Sequence, residues 1–273
     1  NAVKEVTNIT KTEESIITSK EKPITLVYKK ESSKLSSSIA PGINRIGVFI
    51  AYTPLHKILF KYLNNPIVAT SANLSDEPII TNKDELISKL GNVVDYVLDF
   101  NRDIVNACDD SVVQVVNDKN FILRLSRGYA PKALKLPFKI DKKILALGAN
   151  QKNTICLAFG DNLILSHHIG DLNSLTTLEY FQRTIDTFKR FYDFEPDMIV
   201  CDKHPTYETT KWAKSQNLND KSLIQVQHHY AHVLSCMAEY KLDEKVVAFS
   251  WDGTGYGDDG NIWGGEVFIA DNK

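Results

Sequence analysis

Short apolar runs of strand length alternate with helical periods along this chain, and the alternation runs twice. In the first half, Ile24-Thr25-Leu26-Val27-Tyr28 and residues 46–50 read as strands. Thr53-Pro54 predicts an N-cap followed by a first helical residue. Leu55, Ile58, Leu59, Tyr62 and Leu63 then share one helical face until Asn64-Asn65-Pro66 ends it. Residues 67–70 predict a short buried strand entering the turn Ser71-Ala72-Asn73. Thr81 predicts the cap of a helix to about Leu90, and Tyr96-Val97-Leu98 a further strand. Residues 111–116 and 121–125 predict a hairpin around Asn117-Asp118. After Tyr129-Ala130-Pro131, the Lys- and Pro-containing stretch 132–143 reads as a connector. Beyond it the pattern restarts. Residues 144–147 and 154–159 predict strands, Gly160-Asp161 a turn, and Leu163-Ile164-Leu165 the return. Leu178, Phe181, Ile185, Phe188 and Tyr192 predict a long amphipathic helix. Residues 198–200, 224–226 and 246–250 predict buried strands. The expectation is two α/β domains, which a length of 273 residues accommodates.

Composition narrows the function classes. Hydrophobic residues at 43% and charged residues at 24% exclude wholesale disorder. With 32 basic against 34 acidic side chains, the net charge of −2 offers no field for nucleic acid or an anionic membrane. No apolar run approaches the ~18 residues of a membrane span. The start, Asn1-Ala2-Val3-Lys4-Glu5, has neither an initiator Met nor a signal-peptide stretch, so it reads as processed or cut. Cys108, Cys156, Cys201 and Cys236 form no C-x-x-C pair. That argues against a cysteine-only zinc ribbon or a disulfide framework, and for buried free thiols in a reducing cytosol.

Several segments can carry chemistry. Asp252-Gly253-Thr254-Gly255-Tyr256-Gly257 follows a predicted buried strand, and Gly264-Gly265 comes shortly after. A strand-end carboxylate can hold a metal, and glycines let backbone amides approach a phosphate; a glycine-rich hairpin gives the same pattern. In Gln227-His228-His229-Tyr230-Ala231-His232, the residues His228 and His232 stand at i and i+4. Their imidazoles share one helical face and can share one ion, whereas His229 points elsewhere. Two His and Asp252 make an N/O set suited to zinc or iron; a surface or satisfied core pair has the same spacing. Ala69-Thr70-Ser71-Ala72-Asn73-Leu74-Ser75 can hydrogen-bond phosphates or an acyl oxygen, or form a simple Asn/Ser turn. Arg124 and Arg127 are candidate phosphate clamps or edge-strand arginines. Ser166-His167-His168-Ile169-Gly170-Asp171 can line a cleft or merely close a hairpin. Asp109-Asp110-Ser111 reads as Mg²⁺ ligands or a solvated acidic turn.

In order, the chain carries Tyr52-Thr53-Pro54-Leu55-His56, Thr70-Ser71-Ala72-Asn73-Leu74-Ser75-Asp76-Glu77-Pro78 and Asn101-Arg102-Asp103-Ile104. It continues with Asp109-Asp110-Ser111-Val112-Val113, Ser126-Arg127-Gly128-Tyr129-Ala130-Pro131, Leu147-Gly148-Ala149, Lys152-Asn153-Thr154 and His168-Ile169-Gly170-Asp171-Leu172. The histidine segment, the Asp252 segment and Trp263-Gly264-Gly265-Glu266 complete the set. So ordered, these segments resemble the HypF family of carbamoyltransferases in [NiFe]-hydrogenase maturation, over nearly the whole chain.

The resemblance implies an α/β fold class: a truncated YrdC-like domain over residues 1–137, then over 142–273 the first part of an actin/Hsp70-like ATPase fold (TsaD-like). It implies a piece of a longer enzyme of the cytoplasm. Carbamoyl phosphate and ATP would give carbamoyl-adenylate at the YrdC-like site. Transfer to the C-terminal Cys of HypE would follow at the TsaD-like site, without contact with bulk water. The implied nucleotide contacts are Thr70, Ser71, Asn73, Arg127, Lys152, Asp252, Gly253, Thr254, Gly255, Gly264 and Gly265. The implied cofactors are ATP/AMP, Mg with ATP, and a divalent metal, zinc or iron, on His228, His232 and Asp252. Ala107, Gln114 and Leu125 depart from the basic residues usual in the family, so weak or absent carbamoyl-adenylate synthesis is expected of this chain alone. An O-carbamoyltransferase of a small molecule and a tRNA threonylcarbamoyl system share both domain types; the joined order and Trp263-Gly264-Gly265-Glu266 favour HypF. A nucleotide- and metal-binding module without turnover is the alternative of another class.

Overall fold

Capping and pairing chemistry fix the first unit of the chain. The computed structural model describes residues 2–33, 35–75, 77–216 and 222–271. By packing it divides into two units: Asn1–Asn73 with Ile79–Ala130, and Leu74–Pro78 with Pro131–Lys273. In the first, α1 (Ala2–Val6) and β1 (Thr7–Asn8) lead into α2 (Lys11–Thr18). A capping box starts α2: Glu13 N–H donates to Thr10 Oγ1 at 3.1 Å, and Thr10 N–H to Glu13 Oε2 at 2.7 Å. Strands β2 (Ile24–Lys29) and β3 (Arg45–Val48) follow, then α3 (Pro54–Tyr62) and α4 (Lys83–Leu90). Next come β4 (Val112–Val116) and β5 (Lys119–Arg124). The sheet order is β1-β2-β4-β5, with β3 also on β2. Only β2 and β4 run parallel. Asn117 and Asp118 take φ of 49° and 58°, as a two-residue hairpin turn requires, so the hairpin reading holds. Val27 and Val113 are fully buried under α2.

Several expectations for this half fail. Residues 67–70 and 96–98 are not strands. Ile67 is 48%, Val68 78% and Tyr96 94% exposed, and no described strand lies between β3 and β4 for them to pair with. Apolar β-branched runs without a pairing edge stay irregular. Asn82, not Thr81, caps α4, because its carboxamide oxygen accepts from both Asp84 and Glu85 N–H.

The second unit comprises β6 (Lys132–Ala146), β7 (Cys156–Leu165), α5 (Leu175–Phe191), β8 (Met198–Asp202), α6 (Glu208–Ser215), β9 (Leu223–Val226) and α7 (His228–Tyr240). After these come β10 (Val246–Ser250), β11 (Gly255–Tyr256), β12 (Ile262–Trp263) and β13 (Glu266–Ala270). Its main sheet runs β7-β6-β8-β9, with β6, β8 and β9 parallel and β7 antiparallel to β6. The expected connector 132–143 is therefore strand: its lysines alternate with apolar residues at period two. Pro137, the residue that suggested a linker, sits where the register shifts between Lys135 and Ile140. Gly160-Asp161 is likewise no turn, since Gly160 at φ +57° carries β7 through the same irregularity.

Leu145, Leu147, Ile155, Leu157 and Ile199 of the sheet region and Phe181, Ile185 and Phe188 of α5 are all buried and form the core of this unit. Each such side chain contributes roughly 1.5–3 kcal/mol. A second cluster of Val233, Met237 and Ala270 joins α7 to the β10–β13 ribbon. Of the four thiols, Cys108 and Cys236 are exposed, against the expectation of burial. No helix among the described residues is long and apolar enough to cross a membrane.

Candidate metal and nucleotide site

The parallel strands β6, β8 and β9 end near the start of α7, and the polar groups gather there. Gln227 caps α7: its side-chain oxygen accepts from Tyr230 N–H at 2.9 Å. That start puts His228 and His232 one turn apart on one face, with ring centroids 4.9 Å apart. Asp252 follows the end of β10 by two residues. Gly253 N–H donates to its Oδ1 at 2.8 Å, and Oδ2 faces the imidazoles. His228 Nε2 lies 3.0 Å and His232 Nε2 3.4 Å from that oxygen. One ligand atom from each of the three residues falls within 4.8 Å of the others. Two imidazole nitrogens and a carboxylate oxygen so converged match the donor set of a zinc or iron site.

The electrostatics favour positive charge at His228 and negative charge at Asp252. A hydrogen bond to Asp202 raises the His228 pKa above the ordinary histidine value, against the opposing effect of burial, and the carboxylate charges add to it. Burial by itself would raise Asp252; the Gly253 amide and the nearby imidazoles outweigh it and hold the carboxyl below the usual range.

His229 points away, as its place on the wheel predicts, but it is not a spectator. It is fully buried, its Nδ1 lies 3.1 Å from Gln227 Nε2, and its Nε2 has no hydrogen-bond partner among the described residues. The ring lies directly under Gly255, where an added Cβ would stand 2.4 Å from His229 Cε1. Gln227 Nε2 also donates to Tyr256 O, so this pair locks the glycine segment onto α7. Gly255 is thus glycine for packing. Gly253 and Gly264 are different: neither has a positive φ and a Cβ on either would meet nothing within 4 Å. Open space before backbone amides is what close approach by a phosphate needs. A Cβ on Gly265 would meet the Trp251 ring at 3.1 Å.

The remaining candidates are dispersed. Lys152 is exposed in the β6–β7 turn at φ +47°, with its N–H on Asp171 Oδ1 at 2.6 Å. In the first unit, Thr70 and Ser71 are exposed on an irregular loop and Asn73 is half-buried; Asp76 of that motif lies outside the described residues. Arg127 is committed internally. Its Nε donates to Asp110 Oδ1 at 2.6 Å, its terminal nitrogens to Glu21 O and Lys22 O at 2.9 Å each, and its plane covers Tyr52 at 3.7 Å. Asp110 also accepts from Tyr52 Oη at 3.1 Å, so it serves this cluster. His167 is packed between the Tyr180 and Phe188 rings. Sequence reading missed Asp202, although it stands at the end of an apolar strand run just as Asp252 does.

Fold and site together define a YrdC-like domain joined to a Kae1-like one. Residues 1–126 match the family model described as telomere recombination, 139–239 the HypF Kae1-like domain, and 248–273 the second subdomain of the carbamoyltransferase Kae1-like domain. The carbamoyltransferase HypF of Synechocystis sp. is 46% identical over 245 residues, 89% of this chain and 32% of that protein. The probable carbamoyltransferase HypF of Methanocaldococcus jannaschii is 38% identical over 94% of this chain and 34% of its own length. A crystal structure of full-length HypF in a phosphate- and nucleotide-bound form superposes with a TM-score of 0.92 and 41% identity, covering 98% of this chain and 42% of that one. A crystal structure of T.kodakarensis HypF gives a TM-score of 0.90 and 40% identity, covering 97% of this chain and 35% of that one. The chain belongs to the HypF carbamoyltransferase family and spans about a third of the length of the curated relatives it matches.

Proposed function

We propose that this chain provides parts of the two reaction sites of a cytoplasmic HypF carbamoyltransferase serving [NiFe]-hydrogenase maturation. The convergence of His228 Nε2, His232 Nε2 and Asp252 Oδ2 carries this reading. The first unit forms carbamoyl-adenylate from carbamoyl phosphate and Mg-ATP, releasing phosphate and pyrophosphate, with Thr70, Ser71 and Asn73 on the nucleotide. The second unit passes the carbamoyl group to the C-terminal Cys thiolate of HypE. A divalent ion, zinc or iron, on His228, His232 and Asp252 supplies Lewis acidity toward the adenylate. The backbone amide of Gly264 meets its phosphate, the open space at Gly253 lets the phosphate approach, and Lys152, Thr254, Gly255 and Gly265 complete the nucleotide contacts. Asp252 stays ionised, as its lowered pKa favours.

A module that binds nucleotide and metal without turnover is favoured by one observation in the first unit. Arg127 gives its guanidinium to Asp110 and two carbonyls, and Ala107 is buried where family members carry Arg, so fewer cations there face a triphosphate. Carbamoyl-phosphate-dependent ATP–pyrophosphate exchange by the 273-residue chain separates the two. Exchange establishes the enzyme reading; adenylate binding without exchange establishes the module. For the metal, His228→Ala, His232→Ala and Asp252→Ala should each lose the bound ion while His229→Gln retains it. Gln is the better control than Ala because His229 fills space under Gly255. Equal loss in all four variants would mean nonspecific chelation.

A further inference from the structure

Behind the metal-binding triad stands a carboxylate that is not one of its members. Asp202 closes β8, and its side chain is only 6% exposed. Its Oδ2 lies 2.7 Å from His228 Nδ1, on the opposite edge of the ring from the Nε2 that faces Asp252. The other oxygen, Oδ1, accepts from His204 N–H at 2.7 Å. The backbone carbonyl accepts from Thr210 Oγ1 at 2.9 Å and Gln225 Nε2 at 3.3 Å. The His204 amide therefore holds the carboxylate, while α6 and β9 anchor the backbone that carries it. An ionised carboxylate only accepts, so the hydrogen bond to His228 requires the imidazole proton on Nδ1. A neutral imidazole has one proton; the shorter contact, to the more deeply buried Asp202 at 2.7 Å, takes it in preference to Asp252 Oδ2 at 3.0 Å, which leaves the lone pair on Nε2.

We propose that Asp202 is a positioning residue of this centre: it fixes His228 in the Nδ1–H form and aims the Nε2 lone pair at the ion. The inference rests on the metal reading of His228, His232 and Asp252. Losing an outer partner of this kind typically costs 10–100-fold in metal affinity.

Asp202→Asn is the discriminating variant because it preserves shape. His204 N–H already holds the Oδ1 position, so the introduced amide group would face His228 as a donor. The donor demands a lone pair on Nδ1 and drives the proton to Nε2, the wrong tautomer for binding. Long-range ¹H–¹⁵N correlation of metal-free protein at alkaline pH reads the tautomer; cobalt titration by visible absorption reads affinity. The wild type should show Nδ1–H at His228. Asp202→Asn should show Nε2–H and bind cobalt about 10–100-fold more weakly. Thr210→Val removes a bond to the Asp202 carbonyl without touching the carboxylate, and should lower melting temperature while leaving tautomer and affinity unchanged. Cobalt lost in His228→Ala but held at wild-type affinity by Asp202→Asn, with the Nδ1–H form retained, overturns the inference alone. Failure of the wild type to bind cobalt overturns the metal reading and this inference with it.

Discussion

In the first unit Arg127, Asp110 and Tyr52 satisfy one another: the guanidinium takes a carboxylate, two carbonyls and an aromatic face. In the second unit the polar groups are arranged in depth. Asp202 is buried behind His228, His228 is mostly buried, and Asp252 and His232 open progressively to solvent. Charged clusters of similar composition thus do different work. One closes on itself and holds β4, β5 and the segment before β2 together; the other leaves its last donor atoms facing outward. What separates binding geometry from structural geometry is where the final lone pairs point, and both kinds can rest on Arg, Asp and His.

The largest test of this contrast is Gly255→Ala. A Cβ there would stand 2.4 Å from the fully buried His229 ring, which cannot retreat. Overpacking of that kind should cost about 3 kcal/mol and loosen the metal site with it. Gly253→Ala, with nothing within 4 Å, should be neutral for stability and weaken nucleotide binding alone. All three tryptophans, Trp212, Trp251 and Trp263, lie in the second unit, so their fluorescence reports its unfolding separately. Equal stability of the two alanine variants would break the assignment of Gly255 to packing.

Arg127→Ala is next. Removing a half-buried guanidinium leaves Asp110 and two carbonyls without their donor, a loss of about 2 kcal/mol. The transition seen by far-ultraviolet circular dichroism should shift while the tryptophan transition stays in place. Unchanged stability with nucleotide binding abolished would return Arg127 to the role of a phosphate clamp.

Legibility in the sequence followed the same division. His228, His232 and Asp252 were readable because helical spacing and strand ends are local facts, and they project side chains in fixed directions. Asp202 was not, since only β8 lying beside β9 brings it behind a histidine 26 positions later. The role of His229 was half readable: the wheel gives its direction away from the site but not Gly255 above it. Arg127 was read as a clamp because nothing local shows that Glu21 and Lys22 supply its acceptors from over a hundred residues away. The stretch 132–143 misled because Pro and Lys suggest a linker, although the alternation beneath them is that of a strand. Residues 67–70 show the reverse failure: strand-like composition without a partner edge.

A smaller effect is expected from pH. Burial between Tyr180 and Phe188 pushes the His167 pKa down to about 4 from 6.5, with the neighbouring His168 charge adding to it. A depressed histidine pKa means that the unfolded chain takes up the proton first. Its contribution to stability is therefore intact above pH 6.5 and lost as pH falls from there toward 4. With partial solvent screening the loss is on the order of 2 kcal/mol. His167→Phe should flatten the acid limb of the tryptophan-detected stability profile by that amount. Comparing the two proteins cancels contributions from histidines not coupled to His167, His228 included. Parallel profiles would show that His167 is protonated as readily folded as unfolded.

The smallest effect is on reactivity, and it offers a probe of each unit. Cys108 in the first unit and Cys236 in the second are exposed. Burial pushes the Cys156 thiol up to about 11, and burial likewise raises buried Cys201. The thiolate is the nucleophile, so two thiols should react quickly with a disulfide reagent at mildly alkaline pH and two slowly. Peptide mass spectrometry identifies which. Both slow thiols belong to the second unit, so their rate measures how often that unit opens. Gly255→Ala should raise the Cys201 rate, whose strand β8 also carries Asp202, whereas Arg127→Ala should leave both slow thiols unchanged. Acceleration of Cys201 by Arg127→Ala would show that the two units do not open independently, and the contrast between them would fail.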